Sequence, residues 1–226
     1  IWQPQLDFFK NYSTLSYDIL GHGKTSLIKE NINFDDFSEQ LIELIDELEI
    51  NKIHLVGFSI GSLIARNFAT RFNDRLQSLI LLGSIYKRSN QQQKIVNERF
   101  NQAKKELKLS KLALKRWFTD KYLENNPNTY EKINSILSSN NIANFLKVYE
   151  LFVTHKNDEN FEKIKTNTLV MTGEHDVGST IEMSENLNKI IKNSEINIIK
   201  DGKHLCGIEC ADDVNLAIKN FVDKNE

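Results

Sequence analysis

Three short stretches of this chain carry residue types that can do acyl chemistry. Gly57-Phe58-Ser59-Ile60-Gly61 matches G-x-S-x-G. Ile53, Leu55 and Val56 before it form a short apolar run suited to a buried strand. Ile60, Leu63, Ile64, Phe68 and Phe72 after it recur three and four apart, like one face of a helix. A sharp turn between such a strand and helix would hold the Ser59 hydroxyl out at the end of a sheet, on strained backbone. Gly57 and Gly61 would let strand and helix approach closely on either side. The free N–H groups of the helix N-terminus would then meet developing negative charge.

A serine hydroxyl is too weak an acid to attack an ester unaided. It needs a base within hydrogen-bond reach and a third group to orient that base. Downstream, Gly173-Glu174-His175-Asp176 and Asp201-Gly202-Lys203-His204 each follow a strand pattern. Asp176 and His204 would therefore sit beyond strand ends, as Ser59 does, in the chain order nucleophile, acid, base. Rivals exist. Glu174 is an alternative acid, and Asp176 is also placed to cap the helix starting near Ser179. His22, His54, His155 and His175 compete with His204. Of these, His54 lies inside a strand, His155 lies in a helical stretch, His175 adjoins the acid and His22 precedes the nucleophile.

Two other chemistries fit less well. His204-x-Cys206-x3-Cys210 offers three soft metal ligands, but the spacing is not that of a finger and no fourth ligand is evident. The two cysteines read instead as small core residues. Gly23-Lys24-Thr25 imitates the end of a nucleotide-binding P-loop, but Asp18 stands where its first glycine belongs and no long helix follows at once. The expectation is no metal and no cofactor.

The elements that must position these residues alternate. Residues 1–11 read as a short helix with Trp2, Leu6 and Phe9 on one side, and Leu15–Leu20 as a strand. Asp35–Leu48 is a helix capped by Ser38 or Asp35, with Phe37, Leu41, Leu44, Ile45 and Leu48 as its apolar stripe. Leu76–Ser84 is a third strand. Asn167–Thr172 and Ile196–Ile199 are strands, Ser179–Lys192 is a helix capped by Ser179 or Thr180, and Asp212–Asp223 is the closing helix. This order predicts an α/β fold with a mostly parallel sheet and helices on both faces. Between them, residues 86–161 are helical in pattern, with four helices marked by Ile95 to Leu107, Leu112 to Trp117, Tyr130 to Leu137 and Ile142 to Phe152. The expected organisation is a core of residues 1–85 and 162–226 with residues 86–161 as a cap over the ligand site.

Composition bounds the partners. The 226 residues are 40% apolar and 27% charged, with a net charge of −2, so neither a nucleic-acid nor a membrane surface is indicated. Two cysteines make no disulfide framework, and a cytoplasmic protein acting on a small-molecule acyl substrate is the expectation.

The motifs together resemble the α/β-hydrolase superfamily, along nearly the whole chain. Tyr17-Asp18-Ile19-Leu20-Gly21-His22-Gly23-Lys24-Thr25-Ser26 is similar to the family's D-x-x-G-x-G-x-S turn. The Gly57–Gly61 elbow, the acid turn ending in Asp176 and the histidine turn ending in His204 complete the set. The chain looks most like small capped esterases and lactonases of the 3-oxoadipate enol-lactonase type. That resemblance implies a triad of Ser59, Asp176 and His204, with the Ile60 N–H as one oxyanion donor and no cofactor. It implies hydrolysis of a small ester, lactone or thioester through a seryl acyl-enzyme. The alternative is a non-catalytic, receptor-like ligand binder on the same fold. Serine at the elbow sets the chain apart from the dehalogenase and epoxide hydrolase branches, which carry aspartate there. The family's first strands and its His-Gly oxyanion loop, which precedes a helix carrying a tryptophan like Trp2, are absent. The expectation is an N-terminally truncated piece whose missing strand would lie between Leu15–Leu20 and Ile53–Val56. Alone, such a piece is expected to be poorly soluble and weakly active.

Overall fold

The computed structural model describes residues 1–27, 29–106 and 111–226. In chain order come α1 (Gln3–Phe8), α2 (Phe34–Glu47), β1 (Ile53–Phe58), α3 (Ile60–Arg71) and β2 (Leu76–Leu82). Then follow α4 (Asn90–Glu106), α5 (Lys111–Trp117), α6 (Asp120–Asn125), α7 (Thr129–Ser138) and α8 (Ile142–Thr154). The chain closes with β3 (Thr168–Gly173), α9 (Ile181–Ile190), β4 (Ser194–Ile199), α10 (Cys206–Glu209) and α11 (Ala211–Asp223). The four strands make one sheet in the order β1-β2-β3-β4, every pair parallel. All four C-terminal ends therefore lie along one edge of the sheet, where a site can form.

Side-chain alternation along the strands divides the core between the two faces. Leu79 and Leu81 of β2 and Val170 of β3 pack with Phe37 of α2, Leu63 and Phe68 of α3 and Leu187 of α9. Ile80, Leu82, Leu169 and Met171 point the other way, onto Val214, Ile218 and Phe221 of α11 and onto Phe9. Phe37 and Phe68 are completely buried, and each such ring stabilises the fold by about 1.5–3 kcal/mol. Helices thus cover both faces, as the pattern of elements predicts. No helix among the described residues is long and apolar enough to cross a membrane.

Several expectations need correction. Leu15–Leu20 is not a strand. Tyr17, Ile19 and Leu20 pack against the core, but the backbone finds side-chain partners instead of a ladder. The Leu20 N–H donates to Gln40 Oε1 and the Asp18 carbonyl accepts from Gln40 Nε2. β1 pairs only with β2 and forms a sheet edge among the described residues, so its residues are half-buried except Gly57. α2 begins earlier than expected and is capped by Asn33, not Ser38 or Asp35. The Asn33 side chain accepts from Asp36 N while the Asp36 carboxylate accepts from Asn33 N, a capping box. Thr180 caps α9. Between β2 and β3 the α-helices number five among the described residues, the short α6 having gone unseen, and the Leu107 expected in the first of them lies outside the described residues.

Two polar clamps tie the helical segment to the sheet. Arg66 of α3 is completely buried. Its Nη1 donates to the Ile85 carbonyl at 2.7 Å and its Nη2 to Glu159 Oε1 at 2.6 Å, so α3, the exit from β2 and the return after α8 meet at one guanidinium. The second clamp is Glu209. One of its oxygens accepts from the Lys203 N–H, the other from Thr119 N–H (2.8 Å) and Thr119 Oγ1 (3.2 Å). The Leu205 N–H donates to the Trp117 carbonyl at 2.9 Å beside it. The turn after β4 and the α5–α6 junction are thereby held as one piece.

Both clamps give testable outcomes. Burial alone would raise the Glu159 carboxyl, but hydrogen bonding from His155 and the Arg66 charge bring it down to about 2. Ionised Glu159 therefore stabilises the fold fully above 4.5, and this contribution is lost as pH falls toward about 2. Glu159→Gln is expected to cost about 3 kcal/mol at neutral pH and progressively less below pH 4.5. Urea unfolding across that range measures it, and a pH-independent difference would contradict the pairing. Glu209→Ala should cost about 1–3 kcal/mol by leaving the Lys203 and Thr119 N–H groups without their acceptor. Amide hydrogen exchange should then rise at both positions together; a rise at one alone would show that they are not joined.

Candidate active site

Ser59 stands between the end of β1 and the start of α3, with φ 53° and ψ −118°. A non-glycine residue there is strained by about 1–3 kcal/mol and must be held. The Ser59 N–H donates to the Leu82 carbonyl of β2 at 2.9 Å, and the Ser59 carbonyl accepts from the N–H and hydroxyl of Ser62. Gly57 is sterically required: a Cβ there would lie 2.3 Å from the Gly61 carbonyl oxygen. Gly61 is not required in the same way, since a Cβ there would meet nothing within 4 Å. The Ile60 N–H is the first of α3, a position with no acceptor within the helix.

The turns after β3 and β4 bring the other two predicted residues to Ser59. His204 Nε2 lies 3.1 Å from Ser59 Oγ, and His204 Nδ1 lies 2.7 Å from Asp176 Oδ2. Asp176 is 5% exposed. Its Oδ1 accepts from the N–H groups of Gly178 (2.7 Å) and Ser179 (3.0 Å). Burial by itself would raise this carboxyl. The charge and hydrogen bond of His204, with the two N–H groups, outweigh that and hold it below its ordinary range. Its stabilising contribution is present at neutral pH and fades as pH falls through that lowered value. Asp176 does not cap α9, which starts at Ile181 with Thr180 as its cap. The two turns can touch because residue 173 is glycine: a Cβ there would lie 2.4 Å from the carbonyl oxygens of Gly202 and Lys203.

The rival residues lie elsewhere. Glu174 accepts from the Asp201 N–H at 3.0 Å. His54 Nδ1 meets Ser78 Oγ, His155 stands beside Glu159 and His175 is exposed beside Glu174. His22 lines the same cavity as Ser59, but its Nδ1 faces the Leu20 carbonyl and its ring contacts Phe145. Burial lowers the His22 imidazole against the pull of that carbonyl and of Asp18. His204, Cys206 and Cys210 do not form a metal cluster. Among the described residues the three-donor gathering is Glu174, His175 and Asp201, all exposed. Burial pushes the Cys206 thiol up to about 12 and the Cys210 thiol to about 11, so neither is a thiolate at neutral pH. In the Gly21–Ser26 turn the Lys24 N–H donates to the Asp18 carboxylate, so that N–H is already taken and is not open to a phosphate.

Residues that sequence reasoning missed support this group from behind. Ser179 Oγ donates to the Gly83 carbonyl at 2.8 Å, and the Ser179 carbonyl accepts from Thr172 Oγ1 at 2.6 Å, which fixes the loop that holds Asp176. Phe58 packs against the His204 ring at 5.0 Å between centroids. Ser59 and His204 open into a cavity of about 990 Å³. Its far walls come from α4, α5, α7 and α8, among them Val96, Ile133, Phe145 and Phe152.

Comparison with known proteins agrees with this architecture. A succinate-derivative enzyme of Acinetobacter baylyi, (E)-2-((N-methylformamido)methylene)succinate hydrolase, is 26% identical over 227 residues, covering 98% of this chain and 85% of that protein. The 3-oxoadipate enol-lactonase 1 of the same organism is 27% identical over 210 residues, covering 92% and 78%. The enol-lactonase structure from Burkholderia xenovorans LB400 superposes with a TM-score of 0.89 at 24% identity, covering 98% of this chain and 85% of that one. A thermophilic esterase from Thermogutta terrifontis gives 0.84 at 22%, covering 99% and 84%. At those identities the two structures speak for the fold alone. The profile of the family described as alpha/beta hydrolase fold matches residues 2–209. On that match, which spans most of its length, the protein belongs to the alpha/beta-hydrolase fold family, as a hydrolase.

Proposed function

We propose that this protein hydrolyses a small carboxylic ester, lactone or thioester through an acyl-enzyme on Ser59. The observation that carries the reading is the continuous hydrogen-bonded line from Ser59 Oγ through His204 to buried Asp176, opening into a cavity with mostly apolar walls. The names of the relatives, an enol-lactonase and a succinate-derivative hydrolase, support the same reaction class.

In this reading His204 Nε2 takes the Ser59 proton as Oγ attacks the substrate carbonyl. The Ile60 N–H donates to the oxyanion that forms. His204 then gives its proton to the leaving oxygen or sulfur, and the acyl group stays on Ser59. Water, deprotonated by His204, attacks the acyl-enzyme and releases the acid. Asp176 keeps the imidazole in the tautomer that presents a bare Nε2 and stabilises the imidazolium. Residues 86–161 act as a cap that excludes water and shapes the acyl pocket, over a core of residues 1–85 and 162–226.

A fluorophosphonate probe should label Ser59 and nothing else, and Ser59→Ala should abolish labelling. Asp176→Asn is expected to lower turnover by about 10⁴-fold, because the amide stabilises the wrong tautomer. Combining it with Ser59→Ala should add little further loss. Absence of labelling in the folded wild-type protein would instead favour a non-catalytic binder.

A further inference from the structure

Two histidines line the Ser59 cavity among the described residues, His204 and His22. His204 has both ring nitrogens engaged, one with Ser59 and one with Asp176. His22 is left without a task, yet the turn that presents it is held at many points. The His22 N–H donates to the Ile19 carbonyl at 2.9 Å, and the His22 carbonyl accepts from the Thr25 N–H at 3.0 Å. The Gly23 N–H donates to Asn140 Oδ1 at 2.9 Å, which ties the turn to the junction of α7 and α8. Gly21 at φ 75° and Gly23 at φ 53° flank the histidine in the left-handed region. A Cβ on residue 23 would fall 2.2 Å from Asp18 Oδ2. The ring itself stands edge-on to Phe145 of α8, 6.0 Å between centroids.

The ring nitrogens of His22 differ in what they meet. Nδ1 lies 3.4 Å from the Leu20 carbonyl, which can only accept, so the ring proton sits on Nδ1. Burial holds the imidazole below its ordinary range, which keeps the ring neutral at neutral pH. A neutral ring with its proton on Nδ1 has a bare acceptor at Nε2. Nε2 pairs with no donor among the described residues, and it is not one of the polar atoms sealed inside the protein without a partner. The space it opens to is the cavity. An apolar ligand pressed against Nε2 would strip its water and return nothing, whereas a ligand O–H or N–H would replace that water. A fixed, neutral, unpaired acceptor in a cavity with mostly apolar walls therefore selects for a donor on whatever fills the cavity.

We propose that His22 Nε2 is a hydrogen-bond acceptor for the substrate, so that the acyl part of the molecule cleaved at Ser59 carries a hydroxyl or N–H donor apart from its scissile carbonyl. The substrate part of this proposal rests on the acyl-enzyme reading above; the acceptor itself does not.

The test uses a hydroxyl as the donor. It compares ethyl hexanoates bearing a hydroxyl on carbon 3, 4, 5 or 6 with their methyl ethers, which keep the oxygen and lose the donor. At one position or more, the wild-type protein is expected to favour the hydroxy ester in kcat/KM by roughly 10- to 100-fold. His22→Phe should bring that ratio to about one, and His22→Gln, which keeps an acceptor oxygen, should restore part of it. Thermal melting confirms that each variant is folded. A second readout is independent of turnover. Nitrogen-15 NMR should find His22 Nε2 without a proton at neutral pH, and its signal should move when a hydroxy N,N-dimethylamide of the same series binds but not when the methoxy amide does. No preference at any position, a preference that His22→Phe leaves unchanged, or a proton on His22 Nε2 in the free protein overturns the proposal. If no ester turns over and no fluorophosphonate labels Ser59 while a hydroxy amide still moves the Nε2 signal, the acceptor stands and the acyl-enzyme reading falls. If the signal does not move either, both fall.

Discussion

The backbone conformation of Ser59 is the constraint on which the rest depends. At φ 53° and ψ −118° it is a conformation that the isolated chain would leave. It persists because a strand on one side and a helix on the other leave it no alternative. β1 is registered against β2 from Ile53 to Phe58, and the ladder continues into the turn through the Ser59 N–H and the Leu82 carbonyl. α3 is pinned to the sheet by Leu63 and Phe68, both fully buried. The burial of two such side chains is worth about 3–6 kcal/mol, enough to offset a strain of about 1–3 kcal/mol. Relaxing the turn would require either breaking the β1–β2 ladder or lifting α3 off the core.

Given that turn, the sheet does the positioning and the helical segment does the surrounding. Ser59, Asp176 and His204 each follow the C-terminal end of a parallel strand, so the spacing of the strands sets the spacing of the groups. α4, α5, α7 and α8 add walls that are largely apolar. Such walls lower the local dielectric and strengthen every electrostatic interaction inside, including that between His204 and Asp176. Arg66 connects the two parts where the helical segment leaves and returns, at Ile85 and Glu159, and Glu209 connects them near its middle, joining Thr119 to the histidine turn.

The residues around Ser59 were legible in the sequence because each is announced locally. An apolar run, a glycine-bearing turn and a helix recur three times, and the polar residue in each turn is the one that meets the others in space. Leu15–Leu20 misled for the opposite reason. Its alternation and apolar content suit a strand, but a strand exists only through a partner's N–H and C=O groups, which no local pattern encodes. α6 and α10, with 6 and 4 residues, are too short for periodicity to register. The Asn33 cap was obscured because Asp35 and Ser38, one turn along, are equally good cap types. Only the way α4 and α5 fold back over the sheet turns their residues toward a cavity, and that register has no signal in sequence.

The central claim is that Ser59 carries the acyl group between two half-reactions. Acid quench of the protein within milliseconds of mixing with a p-nitrophenyl ester, followed by mass analysis of its peptides, tests this most directly. The account predicts a mass increase equal to the acyl group on the peptide containing Ser59, and none in Ser59→Ala. An unmodified Ser59 peptide during ongoing turnover, or an acyl group on another residue, would contradict it.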